Sequence, residues 1–418
     1  MTVLDNITLG AVICIWSLLL LNIILIISGY FYYVKCEKDA AVPKHFNSYP
    51  MISVMVPAHN EGIVIGDTVR ALLAFDYPED RYEIIVINDN SSDNSAEILE
   101  GIQKEFPHRK LYVVNTDAVT GGRGKSGALN NGYKIAVGEY MVIYDADNTP
   151  EPAALKTLVW EIENDDSLGA VIGKFRTRNR DATLLTRFIN IETLCFQWMA
   201  QAGRWNLLKL CTIPGTNFII RRTIIDAIGG WDEKAIAEDT EISFRIYMMK
   251  KRIKFAPAAV TWEQEPQTLS VWFRQRTRWV KGNIYVLLKN LPLLWRKEAR
   301  QIRFDLFYYF STYFFLLLSL LISDSMFVLN LAGVVHLNLA GLGNLLWALA
   351  VLMFVLGTFV TISTEKGEMN FRNIGLILLM YFTYTKLWMI VAAYGLIKYI
   401  LDAAGHKETK WYKTERFQ

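Results

Sequence analysis

Two aspartates separated by one residue, Asp145 and Asp147, follow the apolar run YMVIY. Carboxylates at this spacing can share one divalent cation, or divide a ribose hydroxyl and a cation between them. Mg²⁺ typically takes one or two protein carboxylates together with phosphate oxygens of a substrate. The motif therefore indicates a phosphorylated ligand, although a solvated turn after a strand would have the same sequence.

Other carboxylates lie at the ends of regular elements. Asp89 comes directly after the apolar run YEIIVIN, and Glu238 and Asp239 open a stretch with the periodicity of an amphipathic helix. Turn chemistry and ligand binding are the alternatives for Asp89. Because the helix dipole favours acids in a first turn, Glu238 and Asp239 are either capping residues or, in the functional interpretation, the source of a general base.

Two loops are rich in small residues. GGRGKSGALNNG, residues 121–132, carries Lys125 just before a helix, where it could cradle phosphate at the helix N-terminus. It lacks the spacing of a P-loop, and a flexible surface loop is the alternative. IPGTNFIIRR, residues 213–222, is small and polar and then strand-like.

The stretch FRQRTRWVKG, residues 273–282, mixes basic and aromatic residues. Gln275, Arg278 and Trp279 have the spacing i, i+3, i+4, which places them on one helical face. A guanidinium, an amide and an indole on one face could bind diphosphate oxygens and stack on a sugar ring. An amphipathic helix at a membrane surface is the alternative. We assign that second role to the remaining basic residues, Arg274, Arg276 and Lys281.

The elements that must position these residues alternate in type. Strand-like runs cover 51–57, 82–88, 110–114 and 140–145, and helical patterns lie between them. This alternation predicts an α/β domain with a mostly parallel, doubly wound sheet. Ligands of such sheets bind beyond the carboxyl ends of the strands, where Asp89 and Asp145 fall.

The hydrophobic content of 52% is concentrated near the two ends of the 418-residue chain. Residues 6–34 carry no charge and suffice for one membrane-spanning helix. Residues 306–364 suffice for two spans and 373–400 for another. Asp324 and Lys386 fall inside these runs, where snorkelling is favoured slightly over a buried functional partner.

The basic flanks of the central segment predict a cytoplasmic domain in a multi-pass protein of the plasma membrane. Four cysteines without close spacing fit a reduced compartment. A net charge of +3, with the basic stretch confined to one flank, argues against a nucleic-acid partner. Three spans after the domain would leave the basic tail, with Lys407, Lys410, Lys413 and Arg416, on the opposite side, unless one apolar run is re-entrant.

The predicted organisation therefore has five parts. They are an N-terminal transmembrane helix (1–36), a catalytic domain (37–267), interfacial helices (268–304), about three C-terminal transmembrane helices (305–402) and a basic tail (403–418).

The order of these motifs resembles family 2 glycosyltransferases, and more narrowly the membrane-embedded polysaccharide synthases such as the cellulose, chitin, hyaluronan and poly-N-acetylglucosamine synthases. An Asp after the second strand, a DxD, a Glu-Asp pair opening a helix and QxxRW before membrane spans occur in that order. The resemblance covers roughly residues 50–300 by motif. It implies a GT-A-type fold, a UDP-sugar donor, Mg²⁺ or Mn²⁺ as cofactor, and a growing polysaccharide as acceptor.

The resemblance also implies roles for individual residues. Asp239 would be the general base, and Asp145 and Asp147 the ribose and metal ligands. The remaining substrate-binding positions fall into three groups. One would line the nucleotide pocket (Ala58, Glu61, Asp89, Lys125), one would shape the acceptor pocket (Gly215, Thr216, Asn217), and one would hold the diphosphate and the acceptor sugar (Gln275, Arg278, Trp279).

The sequence departs from the family pattern at two positions, Asn88 in place of an Asp and Ala237 in place of a Thr. The motif around QRTRW is closest to the poly-N-acetylglucosamine type, so UDP-N-acetylglucosamine is the expected donor. A single displacement would invert the anomeric carbon and give a β-linked polymer that leaves through the membrane helices.

The tail is too short for a built-in cyclic-dinucleotide domain, so any activation would need a partner subunit. Two alternatives stay open: a non-processive transferase with a lipid-linked acceptor, and a transporter or channel with a regulatory domain.

Overall fold

The structure, a computed structural model, describes residues 2–39, 44, 46–337, 340–405 and 414–417. Its central domain is built on one eight-stranded sheet, in the order β3-β2-β1-β4-β7-β6-β8-β5. The strands are β1 (Ile52–Ala58), β2 (Tyr82–Asp89), β3 (Leu111–Thr116), β4 (Tyr140–Ile143), β5 (Thr149–Pro150), β6 (Leu168–Thr177), β7 (Phe218–Arg221) and β8 (Arg252–Glu263).

Helices surround the sheet and occupy both ends of the chain. They are α1 (Val3–Asp39), α2 (Ile65–Leu73), α3 (Ser95–Glu105), α4 (Gly124–Tyr133), α5 (Ala154–Glu163), α6 (Leu184–Cys195), α7 (Arg204–Leu208), α8 (Arg222–Ile228), α9 (Glu238–Met248), α10 (Leu269–Asn290), α11 (Arg303–Phe310), α12 (Leu317–Leu331), α13 (Ala340–Ser363), α14 (Phe371–Phe382) and α15 (Tyr384–Ala404). Shorter 3₁₀ segments cover Glu79–Arg81, Leu291–Trp295 and Lys297–Ile302, and π-helical segments cover Phe196–Gly203 and Ser311–Leu316.

The sheet is mostly parallel, as the sequence predicts. β1 pairs in parallel with both β2 and β4, β2 with β3, and β6 with β8, whereas β7 is antiparallel to β4 and β6, and β5 to β8. Every residue of β2 is buried, which is typical of a parallel strand covered on both faces. The four predicted strands match β1 to β4 within two residues at each end.

The helices beside the sheet bury one apolar face each. In α2, Ile65, Val69 and Leu72 recur at helical spacing and are completely buried. The N-terminal helix α1 approaches the π-helical segment Phe196–Gly203 through glycine. A β-carbon on Gly29 would lie 1.9 Å from the carbonyl oxygen of Trp198, so only glycine permits this approach.

Within the described residues, four helical stretches are long and apolar enough to cross a membrane. They are Val3–Asp39, Arg303–Leu331, Leu345–Ser363 and Tyr384–Ala404, and the apolar helix α14 is shorter. The two charges expected to snorkel instead pair with each other, because Lys386 Nζ lies 2.8 Å from Asp324 Oδ2.

Both ends of the α14–α15 pair lie against the central domain. Before α14, Glu365 lies 2.5 Å from Lys174 and Glu368 lies 2.9 Å from Arg176, and both basic residues belong to β6. After α15, residues 414–417 contact the carboxyl edge of the sheet. The α14–α15 pair therefore returns the chain to the side from which it left, which is the re-entrant alternative for the last apolar run. Lys407, Lys410 and Lys413 lie outside the described residues.

Candidate active site

The carboxyl edge of β2, β1 and β4 brings the sequence motifs together. Ala58 ends β1, Asp89 ends β2, and Asp145 follows β4 by two residues. Between β1 and β4 the strand order reverses direction, and this is the position at which open α/β sheets bind their ligands. The placement of Asp89 and Asp145 at one edge is as predicted.

Lys125 lies at the centre of the site. Its Nζ donates to Asp145 Oδ1 at 2.6 Å and to the carbonyl oxygen of Gly215 at 2.6 Å, and lies 3.4 Å from Glu238 Oε1. Burial alone would lower the pKa of Lys125, but Asp145 and Glu238 outweigh it and the pKa is raised. Lys125 is therefore a fixed ammonium group that connects the DxD motif to the start of α9.

Asp239 is in the first turn of α9, beside Glu238. Burial, and next the negative charge of Glu238, raise the pKa of Asp239 to about 7, against the opposing effect of Lys125. A carboxylate with a pKa near neutrality is suited to accept a proton at physiological pH. Asp239 can therefore take up a proton near neutral pH, which is what the role expected for it requires.

The helix α10 carries Gln275, Arg278 and Trp279, as expected. Burial lowers the pKa of the Arg278 guanidinium, while Glu238, Asp145 and Asp239 act in the opposite direction, which places Arg278 among the carboxylates of the site. Its buried Nε has no hydrogen-bond partner among the described residues. A buried cationic donor without a partner is available to an anionic ligand.

The residues that end β1 and β2 form another part of the site. Asp89 Oδ1 accepts hydrogen bonds from Thr116 Oγ1 at 2.7 Å and from the backbone N–H of Gly122 at 3.0 Å. Ala58 pairs with Asn88, the residue before Asp89, and both Ala58 and Glu61 are buried. Asp89 is therefore held rigidly by the glycine-rich loop that carries Lys125.

The loop at 215–217 supports the DxD turn. Thr216 Oγ1 accepts from the backbone N–H of Asp145 at 3.0 Å. Asn217 is completely buried, and its amide donates to the carbonyl oxygens of Lys174 at 3.0 Å and Ala259 at 2.9 Å. Asn217 therefore joins β6 and β8 through its amide hydrogens, and its expected part in shaping an acceptor pocket stays a prediction.

The residues fit a hard divalent cation bound together with a substrate phosphate. Asp145 and Asp147 supply carboxylate oxygens, the ligands that Mg²⁺ and Mn²⁺ prefer. Lys125 contacts Oδ1 of Asp145, and Asp147 is contacted at Oδ2, so each carboxylate keeps one oxygen without a hydrogen bond among the described residues. Among the residues that the structure describes, no group of three or more His, Cys, Asp or Glu side chains is placed to hold a metal ion by itself.

Sequence reasoning missed the contribution of the C-terminal residues. Arg416 Nη1 lies 2.9 Å from Asp147 Oδ2, and its Nε lies 3.4 Å from Glu61 Oε2. The backbone of Phe417 donates to Gln264 Oε1 at 2.8 Å, and its carbonyl oxygen accepts from Gln264 Nε2 at 2.5 Å. A short basic segment after an apolar helix gives no local signal for such a placement.

Two further acids were also missed: Glu263 is the last residue of β8, and Glu265 follows it by two residues. Burial, and then the charge of Glu265, raise the pKa of Glu263. Burial likewise raises the pKa of Glu265, with Arg276 opposing it. Their position at the end of a strand is the same signal that singles out Asp89, so the sequence did contain it.

The assignment of Arg276 and Lys281 to a membrane surface is wrong. Arg276 is 1% exposed, with its guanidinium 3.1 Å from Glu192 and 3.9 Å above the ring of Trp279. Lys281 is buried and lies 2.5 Å from a carboxylate of α15. Only Arg274, about half exposed, keeps the exposure expected of a surface residue.

Residues 50–282 match the model described as "Glycosyltransferase like family 2", more than half of the chain. The chain belongs to glycosyltransferase family 2. It is an enzyme of that class with a GT-A-like fold, which excludes the transporter alternative as its principal function.

Relatives of this glycosyltransferase carry consistent names. It is 47% identical over 406 residues, 96% of both chains, to "Probable glycosyltransferase YdaM" of Bacillus subtilis. It is 31% identical over 268 residues to the poly-beta-1,6-N-acetyl-D-glucosamine synthase of Staphylococcus epidermidis, a match that covers 63% of this chain and 62% of that one.

Among solved structures, a mannosyltransferase of Pyrobaculum calidifontis in complex with GDP-Man and Mn²⁺ has a similar fold. The TM-score is 0.67 at 20% identity, over 96% of this chain and 99% of that one.

Proposed function

We propose that this glycosyltransferase transfers a sugar from a UDP-sugar, foremost UDP-N-acetylglucosamine, to the end of a growing β-linked polysaccharide. The observation that carries the proposal is the arrangement around Lys125, which joins Asp145 of the DxD to the helix that presents Asp239. The name of the staphylococcal relative supports the choice of sugar. Processive addition and inversion of the anomeric carbon are parts of the same proposal.

The donor binds along the carboxyl edge of the sheet. Asp89, fixed by Thr116 and Gly122, faces the base of the nucleotide, and Ala58 and Glu61 line the same pocket. The unpartnered Nε of Arg278 donates to the diphosphate, because a buried guanidinium gains most from an anionic acceptor. Gln275 and Trp279 extend this face of α10 toward the acceptor sugar.

The reaction is one displacement. Asp239 accepts the proton of the acceptor hydroxyl, whose pKa lies far above neutrality without such a base. The hydroxyl oxygen forms a bond to the anomeric carbon from the face opposite the diphosphate, the bond to the diphosphate oxygen breaks, and UDP leaves with the electron pair. Lys125 and Arg278 stabilise the negative charge that develops on the leaving group.

A bound Mg²⁺ or Mn²⁺ would be held by Asp145 and Asp147 and would neutralise charge on the diphosphate. Gly215 and Thr216 fix the DxD turn. The Gly215 carbonyl oxygen accepts a hydrogen bond from Lys125 Nζ, and the Thr216 hydroxyl oxygen accepts one from the backbone N–H of Asp145. Glu238 supports catalysis indirectly, since its charge holds Lys125 and raises the pKa of Asp239.

The apolar helices give the enzyme its proposed place and export route. We place it as a multi-pass protein in the plasma membrane with the catalytic domain in the cytoplasm, where UDP-sugars are available. The five-part division of the chain is part of this proposal, as is export of the polymer between the membrane helices. A partner subunit in the membrane would supply activation.

The test uses membranes that contain the full chain, incubated with labelled UDP-N-acetylglucosamine, UDP-glucose and UDP-glucuronate one at a time, with Mg²⁺ or Mn²⁺. We expect polymeric product from UDP-N-acetylglucosamine that a β-specific hexosaminidase degrades. Asp239→Asn removes the base while preserving shape, and should abolish transfer while sparing UDP binding. Asp232→Asn is the matched control. Asp232 precedes Asp239 by seven residues in the sequence, but its carboxylate pairs with Lys289 and not with the residues of the site.

Each part of the proposal has an outcome that contradicts it. A small product that extracts into organic solvent would establish a lipid-linked acceptor and non-processive transfer. Polymer made only from another nucleotide sugar would overturn the choice of donor. Continued elongation by Asp239→Asn would show that another group is the base.

A further inference from the structure

The catalytic face of α10 continues for another turn beyond Trp279. Gly282 and Asn283 follow Gln275 at i+7 and i+8, so they extend the same face. A β-carbon on Gly282 would lie 2.9 Å from Cβ of Ala237, the residue just before α9. The absence of a side chain at Gly282 lets α10 approach the start of α9, and this brings Asn283 to the helix of the base.

Asn283 connects the base helix to a tyrosine of the membrane-spanning region. Thr240, whose backbone N–H donates to Asp239 Oδ1 at 2.6 Å, donates through Oγ1 to Asn283 Oδ1 at 3.2 Å. Asn283 Nδ2 in turn donates to the hydroxyl oxygen of Tyr313 at 2.7 Å. The amide is used at both ends, so it fixes Tyr313 relative to Asp239.

The direction of these hydrogen bonds determines what Tyr313 can do. Its hydroxyl oxygen accepts from Asn283, and the hydroxyl proton has no acceptor among the described residues. The side chains of Thr240, Asn283 and Tyr313 are all only partly buried. A donor held in this way next to a general base is available to a hydroxyl or ring oxygen of a sugar.

Tyr313 also has a particular place in the chain. It lies in the π-helical segment Ser311–Leu316, inside the candidate span Arg303–Leu331. π-helical turns are rare and occur frequently at functional sites. The hydrogen bonds through Asn283 and Thr240 place Tyr313 close to Asp239.

We propose that Tyr313 and Asn283 form an acceptor subsite, in which the Tyr313 hydroxyl donates to an oxygen of the terminal sugar of the acceptor glycan. Asn283 is a positioning residue that holds Tyr313 at a fixed distance from Asp239. The subsite orients the attacking hydroxyl toward the base and lies where the chain enters the membrane helices. This inference rests on the proposed function and names the residues that bind its acceptor.

The experiment compares Tyr313→Phe, Asn283→Ala and the double variant in the purified full chain, with labelled UDP-N-acetylglucosamine as donor. Transfer to polymer and hydrolysis to free sugar are measured separately, together with the KM for the donor. The control is Tyr308→Phe, which removes a hydroxyl that donates to Asn22 at 3.3 Å in α1. Tyr313→Phe keeps the aromatic ring, so packing is preserved.

Loss of one hydrogen bond to the acceptor should lower the transfer rate roughly tenfold. Donor hydrolysis and the donor KM should stay within about twofold of wild type, so the hydrolysed fraction rises. Because Asn283 acts through Tyr313, the double variant should lose no more activity than the single ones. Tyr308→Phe should match wild type.

Other outcomes overturn the inference. If Tyr313→Phe transfers sugar as fast as Tyr308→Phe, the hydroxyl does not bind the acceptor. If transfer and hydrolysis fall together, or the donor KM rises, Tyr313 serves the fold or the donor instead. Failure of the wild-type enzyme to consume any UDP-sugar is a separate result, which would overturn the proposed function and the subsite with it.

Discussion

Replacing Lys125 with Met should move the acidic limb of the pH–rate profile to higher pH. Lys125 is the cation that opposes the raised pKa of Asp239. A β-carbon built on Gly215 would lie 3.0 Å from Asp239 Oδ2 and 3.6 Å from Lys125 Nζ. The distance between Asp239 Oδ2 and Lys125 Nζ is therefore at most the sum of these two values, about 6.6 Å. At that range the ammonium stabilises the ionised form of the base directly.

The size of the shift follows from Coulomb's law. Two unit charges about 6.6 Å apart interact by roughly 2.5 kcal/mol at an effective dielectric constant of about 20, and by roughly 0.6 kcal/mol in bulk water. Because one pKa unit corresponds to about 1.4 kcal/mol, losing the cation should raise the pKa of Asp239 by about 0.5 to 2 units. Only the deprotonated carboxylate accepts a proton, so the rate falls at a higher pH than in wild type.

The assay is kcat at saturating UDP-sugar and divalent cation, measured on both sides of neutrality. Lys125→Arg is the matched control, since it keeps the positive charge and should leave the limb in place even if the rate drops. An unmoved limb in Lys125→Met would refute the electrostatic coupling of Lys125 to the base. Equal shifts in both variants would mean that the shape of the residue, not its charge, controls the base.

Three further predictions concern charge, stability and backbone geometry. Arg416→Ala removes the cation that contacts the second DxD aspartate, so the Mg²⁺ concentration for half-maximal activity should fall about tenfold, a change of about 1.4 kcal/mol, in a metal titration; an unchanged value would mean that this guanidinium does not compete with the metal. Arg276→Ala removes a buried cation that lies beside Glu192 and the buried Glu265, and should cost about 3–5 kcal/mol, seen as a lower unfolding temperature, whereas exposed Arg274→Ala should cost less than about 0.5 kcal/mol. Gly215→Ala adds a side chain at φ +95° against the base, and kcat should drop at least tenfold more than for Gly122→Ala, where φ is +75° and the space is open.

The sequence allowed the strands and the site at their carboxyl ends to be predicted because these signals are local. Asp89 and Asp145 each follow an apolar run, and a parallel sheet brings the ends of such runs to one edge. The same rule would have found Glu263, the last residue of β8. Glu238 and Asp239 were recognised because a helix start has a local pattern of its own.

Long-range packing decided what the sequence could not. Arg276 and Arg278 are two residues apart on α10, and their spacing separates Arg278 from Arg276 but does not say what Arg276 packs against. The answer depends on Glu192 and on α15, which take Arg276 into a buried ion pair and leave Arg278 among the catalytic carboxylates. Similarly, Arg416 reaches the site only because the α14–α15 pair reverses the direction of the chain.

The balance of charge in the cleft connects these observations to the need for a cation. Six carboxylates act on three cations there: Glu61, Asp145, Asp147, Glu238, Asp239 and Glu263 on Lys125, Arg278 and Arg416. With all groups ionised the cleft carries an excess of three negative charges, so a diphosphate entering alone would be repelled. A divalent cation that binds with the donor offsets most of this excess, and protonation of Asp239 lowers it to two. The surplus of carboxylates at this edge of the sheet therefore underlies the expected metal requirement, and it adds to the effect of burial in raising the pKa of the base.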